Sequence, residues 1–374
     1  MRRPHTATPL LFAVAFCGAC SQSIDAGPPS GDLSAGTGGA DLCCGTPAPD
    51  LAIPHLAIPD LAIPGGGGPA YTGPYFPAGA PWTQDVSNAP LDGESAAIIA
   101  NLVAAGGWGT PGKMQIDYSI EVLRGDAATP LRAFVKTADF YSPDCDFVPM
   151  PVPAVGALEG EADYRCAGDG DCHLIVVHEP TRKLYEMWRA DLPDANTFRG
   201  GCLAVWDLTR VYPPTGRGKD CSSADASGFP IAPLLFNADE VKAGAVSHAI
   251  RFALPNPRIR KATYVAPASH ATRVAAGGAG TIPYGARIRL RAGFDLNTLP
   301  NEGARTLARA MQRYGMFLAD GGNLPLMGQS DKFTHAKWSG LLGVHDMNVI
   351  KASDFEVVEL GARTTWNGDC VRNP

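Results

Sequence analysis

His173-Leu174-Ile175-Val176-Val177, then Glu179-Pro180-Thr181-Arg182, then Lys183-Leu184-Tyr185-Glu186-Met187-Trp188 is the stretch that decides the fold class. The first run is short and continuously apolar, as in a buried strand. The proline-containing segment reads as a turn. The chain then returns through a second mostly apolar run, so the whole reads as a β-hairpin. Further strands follow on either side. Met114 to Leu123 alternates apolar and polar residues, and Leu203 to Leu208 forms another strand. Val246, His248, Ile250, Phe252 and Leu254 share one face of a strand over 245–254, which aims His248 inward. Ala286 to Arg291 places Ile288 and Leu290 on one face. Arg287, Arg289 and Arg291 lie on the other, read as a solvated face rather than an anion site. Asp354 to Glu359 closes the chain as a strand.

Helix signals are few. Glu94 to Ala105 is apolar at helical spacing and stops at Gly106-Gly107. Asn301 can cap a helix running to Met316, with Leu307, Met311 and Tyr314 on its inner face. Ala238 to Gly244 reads as one short helical turn. Many strands with few helices predict a mainly β fold, a β-sandwich or jelly roll with helical insertions. No regular β–α alternation supports a doubly wound sheet.

Before this body lies a different kind of sequence. Arg2 and Arg3 precede the apolar run Pro9 to Phe16, too short to span a bilayer but suited to a signal peptide over residues 1–19. Gly18-Ala19-Cys20 resembles a lipobox, where cleavage leaves an acylated Cys20 and a membrane anchor; Cys17 departs from the usual aliphatic residue. Residues 20–80 are rich in Gly and Pro and carry Leu-Ala-Ile-Pro three times, starting at Leu51, Leu56 and Leu61. Proline at every fifth position removes amide donors and blocks helix, so this is an extended tether. Cys43 and Cys44 sit inside it, and adjacent cysteines rarely pair with each other, which leaves a link to another chain.

Residues 81–374 form the expected globular domain, long enough for one large core or two small ones. Cys145, Cys166, Cys172, Cys202, Cys221 and Cys370 lie in it. An even count in an exported chain reads as three disulfides, among fifteen connectivities. Short loops suggest Cys166–Cys172 and Cys202–Cys221, leaving Cys145 to pin Cys370. Irregular spacing and no C-x2-C pair argue against a metal site. With 31 basic and 37 acidic residues, the net charge of −6 gives no footprint for nucleic acid.

From about Trp82 to Val358 the chain resembles a group of uncharacterised secreted bacterial proteins, some found beside carbohydrate-binding modules. The resemblance rests on Trp82 with Asp85-Val86-Ser87, Glu159-Gly160 before His173, and Leu184 to Trp188. It continues through Ala204 to Leu208, Ser223 to Pro230, Asp239-Glu240, His248 to Phe252, Pro267 to His270 and Arg313 to Asp320. The chain departs from the group in its extra cysteines, in the insertion Glu161 to Asp171, and in a Met- and Gln-containing stretch after Asp320 where aromatic residues are expected.

No G-x-S-x-G elbow, H-E-x-x-H or P-loop is present, and no cofactor is expected. Polar residues inside apolar strands remain. Glu186, Asp225, Asp207 and His248 are the catalytic candidates, with Trp188, Trp206, His270, Asp320, Glu159 and His173 as substrate-binding candidates. Glycoside cleavage needs two carboxylates, one held protonated, and Glu186 in an apolar strand is the first choice for proton donor. Asp225 or Asp207 would be the second, and Trp188 or Trp206 could stack a sugar ring. His248, His270, Asp225 and Glu186 are expected in one pocket. Each candidate also has a structural explanation. His248 would be a core histidine satisfied by Asp225, Asp225 a turn cap, and Asp207 a partner of Arg210 or Arg251. The readings that follow are glycan cleavage, a non-catalytic carbohydrate-binding module, or a structural surface protein.

Overall fold

A computed structural model describes residues 74–373 apart from Thr110 and Asp169. The expected signal peptide, Cys20, Cys43, Cys44 and the repeats lie outside the described residues. Met114 to Leu123 does not form one strand. Ile116–Ile120 (β1) enters one sheet and Leu123–Gly125 (β2) another, so this alternating run crosses between layers. The hairpin is Leu174–His178 (β3) and Lys183–Trp188 (β4), followed by Cys202–Asp207 (β5). Then come Ile250–Leu254 (β6), Ile259–Val265 (β7), Ile282–Tyr284 (β8), Arg287–Leu290 (β9) and Met316–Gly321 (β10). Leu326–Gln329 (β11), Phe355–Val357 (β12) and Arg363–Thr365 (β13) complete the main strands. The helices are Ser95–Ala104 (α1), Ala238–Ala243 (α2) and Glu302–Arg313 (α3).

The fold is mainly β with a few helical insertions, as the patterning implies. One sheet has the order β2-β3-β4-β5, a second β1-β11-β6-β10-β9-β12, and a third β8-β7-β13. Pairing is mixed: β6 runs parallel to β10 and β1 to β11, whereas β3, β4 and β5 are antiparallel. The four-stranded sheet is buried on both faces. Ile175, Val177, Leu184, Ala204 and Trp206 join the main core, while Leu174, Val176, Tyr185, Met187 and Leu203 pack with Phe134, Met150 and Phe198 in a second one. Double-sided burial is why β3 reads as an unbroken apolar run instead of alternating.

Three further expectations need correction. The strand expected over 245–254 begins only at Ile250. The arginine face of β9 is not solvated: Arg287 is buried and donates to the carbonyls of Tyr314, Pro81 and Gln84. Arg289 donates to Glu356 and to the carbonyls of Val86 and Ala89, leaving Arg291 exposed. The third correction concerns two of the disulfides: Cys166–Cys172 forms as expected, but Cys145 pairs with Cys202 and Cys221 with Cys370. Loop length is a weak guide because closure entropy grows slowly with it. Strand pairing decides instead. Asp146 N–H donates to the Leu203 carbonyl, beside Cys202, and Gly218–Lys219 pairs with Val371–Arg372, beside Cys370.

Burial also extends further toward the N-terminus than residue 81. Tyr75 and Phe76 are buried, and Phe76 meets the rings of Trp82, Trp206 and Tyr212 at 6.2, 6.4 and 5.8 Å.

Candidate functional site

Arg251 lies in β6, in the interior of the six-stranded sheet, flanked by β10 and β11. A guanidinium in so apolar a strand requires partners. Its Nη2 donates to Asp225 Oδ1 and lies 3.6 Å from Asp320 Oδ2; Nη1 meets the Met327 sulfur of β11 at 2.8 Å. The β6–β10 ladder shifts register between Phe252 and Ala253, pairing Phe252 with Leu318 but Ala253 with Asp320. That one-residue bulge re-aims the end of β10, where Asp320 stands.

Asp225 comes from the turn Ser223 to Gly228. Its second oxygen accepts the Ser227 N–H, at 3.2 Å, and the Ser227 hydroxyl. Gly228 is required there. Its φ is +79°, and a Cβ would stand 2.3 Å from Ser269 Oγ. Asp320 accepts the Gly321 N–H at 2.7 Å and keeps 34% of its side chain exposed. Desolvation and the neighbouring Asp225 carboxylate push the Asp320 carboxyl above the usual carboxylate range, against the pull of Arg251.

The third partner group is His173 with Glu159. Nδ1 lies 2.5 Å from Glu159 Oε2, and Nε2 lies 3.0 Å from the Ala224 carbonyl, one residue before Asp225. A carbonyl only accepts, and so does an ionised carboxylate, so both ring nitrogens must donate and His173 is an imidazolium. Burial opposes this charge, but Glu159 overcomes it and raises the His173 pKa to about 9. Burial likewise opposes ionisation of Glu159, yet His173, with a lesser pull from Arg251, holds its pKa below the usual value.

Four of the sequence candidates therefore belong to one electrostatic group around Arg251: Glu159, His173, Asp225 and Asp320. Glu186 is linked to it only through the charge of Asp225. Glu186 is fully buried. Oε1 accepts the N–H groups of Ile231 and Ala232, each at 2.8 Å, and Oε2 accepts the Trp206 indole N–H at 3.0 Å. Burial outweighs these donors and pushes its carboxyl up to about 7, with Asp225 adding to the rise. It receives the start of the turn Ala232–Leu234 and has no open side for a substrate.

Other candidates lie elsewhere. His248 does not join Asp225, Glu186 or His270. Its Nε2 is 3.3 Å from Glu240 and its Nδ1 is 2.8 Å from the Ala249 carbonyl. Glu240 closes the capping box at the start of α2 with Asn237, so this histidine is tied to a helix end. His270, by contrast, packs on the turn that carries Asp225: its ring bonds the Ala226 carbonyl at 2.6 Å, its backbone N–H donates to the Ser227 carbonyl, and the ring meets Trp366 edge-on. Asp207 accepts the Thr209 N–H and hydroxyl at 2.9 and 2.6 Å, a local turn rather than an ion pair with Arg251. Trp206 is buried and offers no ring to solvent. Trp188 is half-buried, with its indole N–H on Asp171 and Arg189 over its ring. Glu161 lies close to the sulfurs of Cys166 and Cys172, but those sulfurs form a disulfide and supply no thiolate.

The hub itself, Arg251, was legible only as a partner for Asp207. The available signal was a lone cation inside Ile250-Arg251-Phe252-Ala253-Leu254, which burial obliges to find carboxylates. Met327 and Ser227 carried no such signal. No family model, curated protein or solved structure matches this chain.

Proposed function

We propose that the protein is an exported, glycan-directed surface protein whose site is the rim of the Arg251 cluster. Asp320 supplies a proton there, and Glu159 on His173 is the ionised carboxylate. The carrying observation is that Asp320 is part of a buried ion group and yet open to solvent over a third of its side chain. Two carboxyls whose surroundings push their protonation apart are what acid-assisted glycoside chemistry uses. This moves the acid role from Glu186, enclosed by its three donors, to Asp320. Three disulfides fit an oxidising, extracytoplasmic compartment. Acylation at Cys20, with the Pro- and Gly-rich sequence before Pro74 as a spacer from the membrane, completes the reading.

The test is a polysaccharide panel scored for both binding and release of reducing ends. Asp320→Asn is expected to abolish release while leaving binding nearly intact. Binding without release by either form would make the protein a non-catalytic carbohydrate-binding module. A second reading, a purely structural ion network, draws on the same partnering: Arg251, Asp225 and His173 each have defined partners. It would be favoured if no glycan binds and Asp320→Asn changes only the melting temperature.

A further inference from the structure

A cleft of about 290 Å³ lies away from the Arg251 cluster and is lined by none of its residues. It lies at the small end of ligand-pocket volumes, roughly 300–1,000 Å³, and suits a single ring better than a long chain. Its walls carry Lys183, Arg210, Arg217 and Arg372, together with Tyr212 and Asp207. The charge is unbalanced by construction of the fold. Arg217 and Arg372 share one carboxylate, Asp146, at 2.5 and 3.0 Å. Two guanidiniums on one anion leave an excess positive charge. Arg217 is buried, and its Nε has no hydrogen-bond partner among the described residues. Burial and the neighbouring Arg372 both disfavour its charge, against the pull of Asp146. A second anion would relieve that repulsion.

The mouth of the cleft continues the imbalance. Neither Lys183 nor Arg210 forms an ion pair among those of the described residues; Arg210 lies over the Tyr212 ring at 5.1 Å. Asp207 accepts the Thr209 N–H and hydroxyl and feels the pull of both Arg210 and Lys183, so it offsets part of this charge, but with Asp146 it makes two carboxylates against four cations. Two disulfides build this floor. Cys145–Cys202 sets Asp146, which accepts the Val205 N–H at 2.8 Å, and Cys221–Cys370 sets Arg372 through the pairing of Lys219 with Val371.

We infer that this cleft binds an anionic sugar residue, a uronate, with its carboxylate toward Arg217 and Arg372 and its ring along Tyr212. The inference rests on the glycan-directed reading for the sugar and on the cleft's charge for the carboxylate. An apolar ring wall beside the cations favours a ring-bearing carboxylate over a bare inorganic anion.

Titration calorimetry of the intact protein tests it with three probes: a uronic-acid trisaccharide, its methyl ester and sodium sulfate. The acid form is expected to bind at least about tenfold more tightly than the ester or sulfate, the worth of one charge-assisted hydrogen bond. Lys183→Met with Arg210→Met should weaken uronate binding by at least about tenfold without changing the melting temperature. Lys261→Ala, an exposed change elsewhere, should leave it as it was. Equal affinity for acid and ester, sulfate binding as tight as uronate, or indifference to the double substitution would overturn the assignment. Neutral glycans binding while uronate does not would sink this cleft and leave the proposed function standing. Failure of every glycan, neutral or acidic, would remove both.

Discussion

His173 faces two acceptors, and that fact sets how the protein answers to pH. Its folded pKa is raised from 6.5 to about 9. A raised histidine contributes stability that is fully present below its unfolded pKa and is lost as pH rises through the folded value. Glu159 is lowered, so its contribution is present above the usual carboxylate range and is lost as pH falls. Urea unfolding measured from pH 6 to 10 should therefore show stability falling by up to about 3 kcal/mol from this histidine. In His173→Gln the fall over that window should be smaller. An unchanged slope in the variant would contradict the imidazolium. Glu186 makes a different prediction. Removing its carboxylate leaves two backbone N–H groups and an indole N–H buried without partners. Glu186→Ala should cost on the order of 4 kcal/mol in chemical denaturation. Asp320→Asn, at the solvent rim, should cost much less. Comparable losses in the two would erase the distinction between structural and rim carboxyls.

At the level of elements, legibility in the sequence followed how each segment is buried. The β3–β4 hairpin was readable because both its faces are covered, so apolar character persists at every step. The run from Met114 to Leu123 was readable as extended but not as two strands, since alternation says nothing about which sheet a residue joins. The arginines of β9 misled for a related reason. Charge on one face signals solvent unless some other segment brings carbonyls to it, and here residues 81–89 do so. The candidate site shows the same limit: its acids and His173 stood out, but their meeting on Arg251 depends on the β6–β10 register, a long-range pairing. Arg287→Ala would strand the carbonyls of Tyr314, Pro81 and Gln84, and a loss of about 3 kcal/mol is expected in thermal or urea unfolding. The pairing of Lys219 with Val371 supports a parallel expectation for the C-terminus. Replacing Cys221 and Cys370 by serine should lower stability by about 2–5 kcal/mol and release the strand that carries Arg372.

For the whole molecule, two of the three disulfides among the described residues join segments 57 and 149 positions apart, and no helix among those residues is long and apolar enough to cross a membrane. If Cys20 is the acylated residue, Cys20→Ser should shift the protein from the membrane fraction to a soluble or unprocessed form; unchanged fractionation would count against the anchor. The last prediction concerns where the folded body begins. Composition places the boundary at residue 81, because the Pro- and Gly-rich character ends there. Packing places it earlier. Phe76 is 3% exposed and joins Trp82, Trp206 and Tyr212, and Trp206 in turn donates to Glu186. A chain beginning at Pro74 keeps this aromatic group intact. One beginning at Pro81 leaves Trp206 and Tyr212 without the ring that covers them. Loss of a buried phenylalanine side chain typically costs about 3–5 kcal/mol. The shorter chain should therefore melt several degrees lower, and Phe76→Ala in the full-length protein should reproduce most of the difference. Equal melting temperatures for the two truncations would mean that the aromatic group gains nothing from Phe76, and the boundary would return to residue 81.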